Sequence, residues 1–363
     1  MKIALTGAQG FLGWHTRVLA HSLGHSVEPI RLGPGFDEAA ARSALEGADL
    51  LVHLAGVNRG TDDEVHEGNR VAARQISAAL ASVDSPPPRV AFSNSVQAGN
   101  GSVYGGAKEA AGEILAEQAR AIGAAYTNAH LPNIFGEHGR PRYNSVVATF
   151  SDLVAQGLAP EIHQDKELGF LHAQRAAEVL LGELPVDRMA DHVRTMSVSG
   201  VAEKLQELAK VYQDGTVPDI VDAFDRDLFN TYRSFLVGDM LPIRLTRHAD
   251  SRGSFFEVVR SRGGEGQSSF STTVSGITRG QHYHRRKIER FTVLSGSAEI
   301  AMRRMFDDKV YTYTVDGDHP VSIDMPTMWT HKITNTGSDA LYTMFWINEI
   351  YDPASPDTIP EEV

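Results

Sequence analysis

The most informative absence in this 363-residue sequence is cysteine, which does not occur in it. A chain without thiols forms no disulfide scaffold, no thiolate nucleophile, no cysteine-ligated zinc ribbon and no iron–sulfur cluster. A metal ion can therefore be bound only by histidine, aspartate or glutamate side chains. The sequence has 15 histidines that could serve as such ligands.

Positive charge is also scarce. Lysine and arginine total 34 against 46 aspartates and glutamates, which gives a formal net charge of −12. Because nucleic acids and anionic membranes attract a positive protein surface, this balance argues against both kinds of partner. No run approaches the roughly 18 consecutive apolar residues of a membrane-spanning helix. Since no basic stretch with a long apolar run opens the sequence, we expect no signal peptide and a cytoplasmic protein without membrane insertion.

The length predicts two or three domains, at roughly 150 residues per domain. Up to about residue 191, short apolar runs alternate with longer Ala- and Leu-rich stretches at helical spacing. This alternation predicts βαβ crossovers and a Rossmann-type, doubly wound parallel sheet. Two further helices are predicted at 201–213 and 222–236. The sheet strands are predicted at 3–5, 27–30, 50–54, 90–92 and 126–131, with helices at 11–23, 37–45, 64–82 and 104–122.

The pattern changes after Pro242. Short alternating runs follow one another closely, separated by Gly, Asp and Asn, and no long amphipathic helix interrupts them. This arrangement predicts an all-β sandwich or barrel. We therefore predict an α/β domain over residues 1–241 and an all-β domain over residues 242–363.

A glycine-rich stretch, TGAQGFLG, joins the first predicted strand to the first predicted helix. Its Gly7, Gly10 and Gly13 permit a tight turn and close approach of the backbone to a pyrophosphate, whose charge the helix N-terminus favours. Arg31 follows the second strand, where an Asp or Glu would bind the ribose 2′-hydroxyl of NAD. Because a guanidinium suits a 2′-phosphate, the sequence predicts NADPH as the cofactor.

Tyr104 and Lys108 lie one helical turn apart in VYGGAKEAAGEI and so share a face of the predicted helix. Ser95 lies upstream, after the strand at 90–92. These residue types fit carbonyl reduction, because the phenol transfers a proton and the ammonium favours its ionisation. The lysine can also bind the nicotinamide ribose, and the serine can polarise the carbonyl. We predict Ser95, Tyr104 and Lys108 as catalytic residues, with Ser93 as the alternative serine.

With these motifs and HLAG at 53–56, the first part of the chain resembles the extended short-chain dehydrogenases/reductases. The stretch LPNIFG at 131–136 resembles the segment of that family that lines a nucleotide-sugar site. The resemblance implies that the cofactor is contacted by Gly7, Gly10, Phe11, Leu12, Gly13, Arg31, Leu54, Ala55, Gly56, Tyr104 and Lys108.

A group of candidate metal ligands lies in the predicted β domain. His282 and His284 alternate on one strand and share a face, Glu289 follows, and His331 comes from the later stretch PTMWTHKITN. Three histidines and a carboxylate can bind a divalent metal ion, and zinc is the ion we expect. Both stretches resemble the two motifs of the cupins. Met328 stands where the second motif has glycine, and we expect a local change of the loop there.

The runs DSRGSFFEV and TRGQHYH also resemble the 3,5-epimerases of 4-keto-6-deoxy nucleotide sugars. An epimerase needs a base and a stabiliser for the enolate oxygen. Tyr283 is a candidate base, and so is His331 if it binds no metal. The sequence leaves open whether the adjacent basic run holds a diphosphate or is a solvated strand edge. This run comprises Arg279, Arg285, Arg286 and Lys287.

A reductase followed by a cupin is the order found in the bifunctional capsular polysaccharide-assembling enzymes, which this chain resembles. The resemblance implies C3 epimerisation of a UDP-4-keto-6-deoxy-HexNAc in the cupin and NADPH-dependent C4 reduction in the reductase. The product would be UDP-2-acetamido-2,6-dideoxy-β-L-talose, on the way to UDP-L-FucNAc, made by a homodimer. One alternative is a monofunctional 4-ketoreductase with a structural or dimerising cupin. Another is a nucleotide-binding regulator, against which the acid–base pair Tyr104 and Lys108 argues.

Overall fold

The computed structural model describes residues 1–238 and 240–363. The chain forms two compact units, each assembled from two stretches. Unit 1 comprises Met1–Phe135 and Lys166–Ser197, and unit 2 comprises Gly136–Asp165 and Val198–Val363. The boundary predicted after residue 241 stays a prediction, because compactness does not show which stretches fold independently. Within the described ranges, no helix is both long and apolar enough to cross a membrane.

Helices and strands alternate in the first part of the chain, whereas strands follow one another in the last part. The helices are α1 (Phe11–Ser22), α2 (Glu38–Leu45), α3 (Asp62–Ala81), α4 (Val103–Ala121), α5 (Val146–Ala155), α6 (Ala173–Leu181), α7 (Val198–Tyr212) and α8 (Ala223–Arg233). The first strands are β1 (Lys2–Thr6), β2 (Ser26–Ile30), β3 (Leu50–His53), β4 (Arg89–Ser95), β5 (Ala125–Leu131), β6 (Asn133–Phe135), β7 (Glu167–His172) and β8 (Arg194–Ser197). The later strands are β9 (Ile243–Arg244), β10 (His248–Asp250), β11 (Gly253–Phe255), β12 (Gln267–Thr273), β13 (Thr278–Tyr283), β14 (Glu289–Ser295), β15 (Ser297–Arg304), β16 (Val310–Asp316), β17 (Val321–Met325), β18 (Trp329–Asn335), β19 (Leu341–Ile347) and β20 (Ile359–Pro360).

Unit 1 is built on a parallel sheet in the order β2-β1-β3-β4-β5. Ile3 and Leu5 of β1 pack into one apolar cluster, whereas Ala4 between them packs into a second cluster. Since successive side chains of a strand point to opposite faces, both faces of the sheet are covered. The strand order reverses beside β1, and the carboxyl ends of strands at such a point form a ligand-binding crevice.

Local sequence explains where the helices next to this crevice begin. Thr61 and Glu64 form a capping box at the start of α3, since each side chain bonds the backbone N–H of the other. Ser102 caps α4 by accepting a hydrogen bond from the Gly105 N–H at 3.0 Å. The helix that bears Tyr104 and Lys108 is therefore fixed at its first turn.

Unit 2 contains two five-stranded antiparallel sheets, in the orders β12-β19-β14-β17-β9 and β16-β15-β18-β13-β20. Phe291 and Ile323 of the first sheet share one buried apolar cluster with Ile300 and Ile333 of the second. The two sheets therefore pack as a sandwich. The predicted fold class, a Rossmann-type parallel sheet followed by an all-β region, is confirmed.

A buried ionic group joins α7 and α8 to the first of these sheets. Arg290 of β14 donates two hydrogen bonds to Asp324 of β17, at 2.5 and 2.8 Å. The Tyr212 hydroxyl, at the end of α7, donates to the same carboxylate at 2.6 Å. Arg233 of α8 donates to the Met325 carbonyl at 2.9 Å. Because these side chains are buried, their polar atoms depend on one another for hydrogen bonds.

Candidate active site and metal centre

The glycine loop connects β1 to α1, and its backbone packs closely against the first turn of that helix. Gly7 has a φ of +70°, a backbone conformation that favours glycine. A Cβ at Gly13 would lie 2.1 Å from the Gly7 carbonyl oxygen and 2.8 Å from the Ala8 Cα, so only glycine fits there. Gly10 immediately precedes α1, and its N–H donates to the Gly7 carbonyl at 3.0 Å. The first turn of α1 is thereby pressed against the loop.

Thr6 links this loop to the end of β3. Its hydroxyl oxygen accepts hydrogen bonds from the Leu54 N–H at 3.0 Å and the Ala55 N–H at 3.1 Å. It also lies 3.0 Å from His53 Nδ1. Burial and the charge of Lys108 lower the pKa of His53 to about 3, so the ring is neutral and can accept the threonine proton. Thr6 and His53 thus hold the predicted cofactor residues Leu54, Ala55 and Gly56 beside the glycine loop.

Arg31 follows β2 directly and is exposed. Its side chain covers a turn, since a Cβ at Gly35 would lie 2.6 Å from Arg31 Nε. Because β2 pairs with β1 in parallel register, Arg31 begins at the same edge of the sheet as the glycine loop. This position is compatible with the predicted contact to a 2′-phosphate, which stays a prediction.

A cavity of about 140 Å³ lies at the carboxyl ends of the parallel strands. It brings together all three predicted catalytic residues, Ser95, Tyr104 and Lys108, of which the last two are also predicted cofactor residues, with three further predicted cofactor residues, Leu12, Leu54 and Gly56. The remaining lining residues are Asn58, Asn69, Ser93, Asn94, Leu131, Pro132 and Ile134. The other predicted cofactor residues, namely Gly7, Gly10, Phe11, Gly13, Arg31 and Ala55, do not line this cavity.

Burial shifts the pKa values of Tyr104 and Lys108 in opposite directions. It lowers the pKa of Lys108, which is 4% exposed, to about 7. The Lys108 ammonium lies 4.3 Å from the centre of the Phe92 ring, a cation–π contact. Burial raises the pKa of Tyr104, because desolvation disfavours the phenolate. Burial therefore opposes the ionisation of Tyr104 that the lysine was expected to favour.

The two candidate serines differ in their hydrogen bonds. Ser93 Oγ donates to the His53 carbonyl at 3.3 Å and so helps to hold β3 beside β4. Ser95 Oγ accepts from the Gln97 N–H at 3.1 Å, which leaves its own hydrogen available to a ligand. Asn94, which sequence reasoning missed, accepts from the Ser95 N–H at 2.8 Å. The sequence feature that could have pointed to Asn94 is a strongly polar side chain within the buried strand β4.

The four predicted metal ligands come together in unit 2. One nitrogen from each of His282, His284 and His331 and one oxygen of Glu289 lie within 4.8 Å of one another. All three imidazoles turn Nε2 toward Glu289 Oε2, at 3.5, 2.9 and 3.0 Å respectively. The separate motifs are joined because β13 pairs with β18, with His282 opposite His331.

The protonation of this cluster fits a cation. His284 Nδ1 lies 2.6 Å from the Asp357 carbonyl and His331 Nδ1 lies 3.2 Å from the Trp329 carbonyl. Since a carbonyl only accepts, both Nδ1 atoms carry hydrogen, which leaves each Nε2 as the nitrogen that can offer a lone pair to a metal ion. Burial lowers the pKa of His331 to about 4. Lone pairs converging on a carboxylate match a divalent metal ion.

The residues around this cluster differ in the roles open to them. Tyr283 is fully buried, and burial raises its pKa, which keeps the phenol protonated at neutral pH. Arg286 pairs with Glu349, and Lys287 donates to the Pro356 carbonyl and to Thr358. Two members of the basic run are thus engaged within unit 2. Met328 has a φ of +61°, the left-handed conformation for which glycine is the ordinary residue.

Comparison with known proteins identifies the family. Residues 248–359 match the family described as "Polysaccharide biosynthesis C-terminal domain". The chain is 32% identical to the "UDP-2-acetamido-2,6-beta-L-arabino-hexul-4-ose reductase" of Pseudomonas aeruginosa, over 99% of this chain and 98% of the relative. It also matches the crystal structure of the capsular polysaccharide assembling protein CapF from Staphylococcus aureus, with 31% identity, full coverage of both chains and a TM-score of 0.62. The chain belongs to the CapF family.

This CapF-family chain also shares the fold of its first part with more distant enzymes. The UDP-glucose 4-epimerase of Thermotoga maritima matches 65% of this chain and 98% of its own, with a TM-score of 0.52 and 17% identity. At that identity the likeness shows the fold alone. The family resemblance predicted from the sequence is confirmed over both parts of the chain.

Proposed function

We propose that this CapF-family chain is a bifunctional nucleotide-sugar enzyme of capsule or surface polysaccharide synthesis. Unit 1 reduces C4 of a UDP-4-keto-6-deoxy-HexNAc with NADPH, and the β region of unit 2 epimerises C3. The product is UDP-2-acetamido-2,6-dideoxy-β-L-talose, a precursor of UDP-L-FucNAc. The observation that carries the proposal is the cavity in which Ser95, Tyr104 and Lys108 meet. The Pseudomonas aeruginosa reductase, similar over its whole length, supports this substrate class.

The cavity supplies the groups that ketone reduction needs. When bound, the nicotinamide cofactor supplies the hydride. Tyr104 donates a proton to the C4 oxygen, and its raised pKa keeps the phenol protonated at neutral pH. Ser95 donates a hydrogen bond to the same oxygen, and Lys108 binds the nicotinamide ribose. Arg31 and the glycine loop hold the phosphates of the dinucleotide.

The β region would act on the same keto sugar, because a C4 carbonyl acidifies the proton on C3. His282, His284, Glu289 and His331 would hold a zinc ion, which supplies a positive charge that favours enolate formation. His331 is buried and turned toward Glu289, so it is not available as the base. Arg279, an exposed residue of β13 outside these contacts, remains the candidate for binding the diphosphate. The proposal includes a cytoplasmic homodimer.

One observation favours a second candidate, in which the β region is structural and only the reductase is active. His284 and His331 are 2% and 0% exposed, as is common for ligands of a structural metal ion. Both candidates use the same reductase cavity. They differ only in whether C3 exchanges its proton.

Solvent exchange at C3 separates the candidates. The keto sugar is incubated with the enzyme in deuterium oxide without NADPH, and incorporation at C3 is followed by mass spectrometry. We expect exchange with the wild type and loss of exchange in His284→Ala. His319→Ala, which removes a histidine that is 86% exposed, is the matched control and should exchange normally. Absence of exchange with the wild type would support a structural β region, and exchange in His284→Ala at the wild-type rate would show that the metal centre is not needed for epimerisation.

A further inference from the structure

A short segment of unit 2, residues 355–363, covers β13, which bears His282 and ends one residue before His284, so the two histidines do not share one strand as the sequence predicts. Within it, β20 pairs antiparallel with β13, with Pro360 opposite His282 and Ile359 opposite Tyr283. The Glu361 N–H extends this pairing by donating to the Gln281 carbonyl at 3.0 Å. The strand β13 thus lies between β18 and β20 and is not an edge strand.

Asp357 is the most strongly bonded residue of the 355–363 segment. Its carboxylate accepts hydrogen bonds from the N–H groups of Arg285, Arg286 and Lys287, at 3.0, 2.9 and 3.0 Å. These residues form the turn between His284 and Glu289. Asp357 is 9% exposed and has a φ of +43°, a conformation that its neighbours must hold in place. Its side chain therefore fixes both the turn and its own backbone.

The backbone of Asp357 orients a metal ligand. Its carbonyl oxygen lies 2.6 Å from His284 Nδ1 and takes the hydrogen of that nitrogen. The other nitrogen, Nε2, is then the one that can offer a lone pair to a metal ion, and it lies 2.9 Å from Glu289 Oε2. Because residues 284 and 357 are 73 positions apart, this orientation depends on where the segment is held.

Further contacts keep the segment in register on both sides of Asp357. Lys287 Nζ donates to the Pro356 carbonyl at 2.9 Å and to Thr358 Oγ1 at 3.0 Å. On the other side, Thr330 donates to the Glu361 carbonyl at 2.5 Å. Both anchors originate next to candidate ligands, since Thr330 precedes His331 and Lys287 lies between His284 and Glu289.

We propose that Asp357 is a positioning residue of the metal centre, which fixes the tautomer and direction of His284 and thereby sets metal affinity. The inference rests on the proposed metal centre and adds to it a residue outside the ligand set. Three backbone N–H groups donate to the Asp357 carboxylate and so hold the residue in place. The Asp357 carbonyl can then orient the His284 ring before a metal ion binds. Partners that orient a histidine ligand in this way typically change metal affinity about 10–100-fold when they are removed.

The test measures zinc binding by the full chain after removal of metal with a chelator. Zinc affinity is determined by competition with a chromophoric chelator for the wild type, Asp357→Asn and Asp352→Asn. We expect Asp357→Asn to bind zinc about 10–100-fold more weakly. Asp352 lies three residues before the segment, is exposed and has a carboxylate that accepts from the local Ala354 N–H, so its variant should bind as the wild type does. Unchanged affinity in Asp357→Asn would overturn the proposal.

A double variant distinguishes positioning from general destabilisation. If Asp357 acts through His284, then His284→Ala and the double variant with Asp357→Asn bind zinc equally weakly. A further, additive loss would overturn the positioning role. The visible absorption of the cobalt-substituted protein reports ligand geometry, and we expect Asp357→Asn to change it while Asp352→Asn does not. An unchanged cobalt spectrum in Asp357→Asn would also overturn the positioning role.

The proposal and the metal centre on which it rests can fail separately. Wild-type zinc affinity in His284→Ala would refute the metal centre itself. Loss of zinc in His284→Ala together with wild-type affinity in Asp357→Asn would refute only the role of Asp357. If Asp357→Asn does not fold, Thr358→Val removes one exposed anchor of the segment. We expect this variant to weaken zinc binding as well, and wild-type affinity in it would count against the proposal.

Discussion

At the scale of single residues, burial prepares Tyr104 and Lys108 for different roles. The same loss of water that keeps the phenol of Tyr104 protonated brings the pKa of Lys108 to about 7. A proton donor that stays protonated suits the reduction of a ketone. A lysine close to its titration point gains charge when a nearby ligand offers a hydrogen-bond acceptor.

Replacing Tyr104, the proposed proton donor, should stop reduction without preventing cofactor binding. We expect Tyr104→Phe to lower the rate of NADPH oxidation with the keto sugar about 10²–10⁴-fold, because general acid catalysis is lost. Tyr342→Phe, at a tyrosine of β19 that is 39% exposed, is the control and should keep its rate. NADPH affinity, followed by fluorescence, should change little in either variant. A Tyr104→Phe enzyme with most of its turnover would contradict this role.

Lys108 should make stability depend on pH. Between about pH 7 and its ordinary pKa of 10.5, the lysine keeps its proton in the unfolded chain but not in the cofactor-free folded protein. Raising the pH therefore favours the folded state, by at most about 1.4 kcal/mol per pH unit. Urea denaturation at several pH values should show the free energy of unfolding of the wild type rising relative to Lys108→Met. The exposed-site variant Lys166→Met should follow the wild type, and parallel curves for all three would contradict the shift.

Arg31 should decide between the two nicotinamide cofactors. A charged hydrogen bond to the 2′-phosphate is worth about 1.5–3 kcal/mol, so Arg31→Ala should weaken NADPH binding about 10–100-fold. NADH affinity should be unchanged, because NADH has no phosphate at that position. Arg42→Ala, at an exposed position of α2, controls for the loss of a positive charge. A wild-type preference for NADH in calorimetric titrations would contradict this assignment.

At the scale of elements, the ionic group around Asp324 fixes α7 and α8 to the sheet of unit 2. Removing the carboxylate in Asp324→Ala leaves the Arg290 guanidinium buried without its partner, which typically costs about 3–5 kcal/mol. Asp318→Ala is the matched control, since Asp318 is 83% exposed and its ion pair with Arg247 contributes at most about 1 kcal/mol. Chemical denaturation of both variants measures the difference. An equal loss in the two would show that the buried pair adds little.

Elements with strong local patterns were predictable from the sequence. The five strands of the parallel sheet, α1 to α4 and the four-ligand cluster all follow from periodicity, caps and motif spacing. The strands β6 to β8 were missed, because each begins with a polar or charged residue and none forms a continuous apolar run or a clear alternation. The hydrogen bonds of Thr6 with residue 53 and of Asp357 with residue 284 were also missed. They join positions 47 and 73 residues apart, and no local pattern specifies such pairs.

At the scale of the whole molecule, the two units interleave along the chain. The chain leaves unit 1 after Phe135, returns at Lys166 and leaves again after Ser197. A single cut between 135 and 166 therefore separates parts of unit 1 that share one apolar cluster, such as Leu5 and Leu171.

The two fragments of a chain cut at one such position should stay associated. We expect a specific protease site inserted after the exposed Glu161 to yield two fragments on a denaturing gel that elute together under native conditions. Burial of apolar side chains shared by both fragments holds unit 1 in one piece. The uncut insertion variant is the control for elution. Separate elution of the fragments would show that the shared cluster is too weak to hold them.

The same interleaving has a consequence during synthesis on the ribosome. Every residue that lines the cavity around Tyr104 and Lys108 lies before position 135, whereas α6, which helps to cover one face of the parallel sheet, begins at Ala173. The ribosome thus synthesises all five strands of the parallel sheet first. It must then synthesise residues 136–165 of unit 2 before α6, which covers the sheet, emerges. Until then the apolar side chains of Ile3, Leu5 and Leu131 lack part of their packing. This interval is when a chaperone that binds apolar segments would protect the growing enzyme from aggregation.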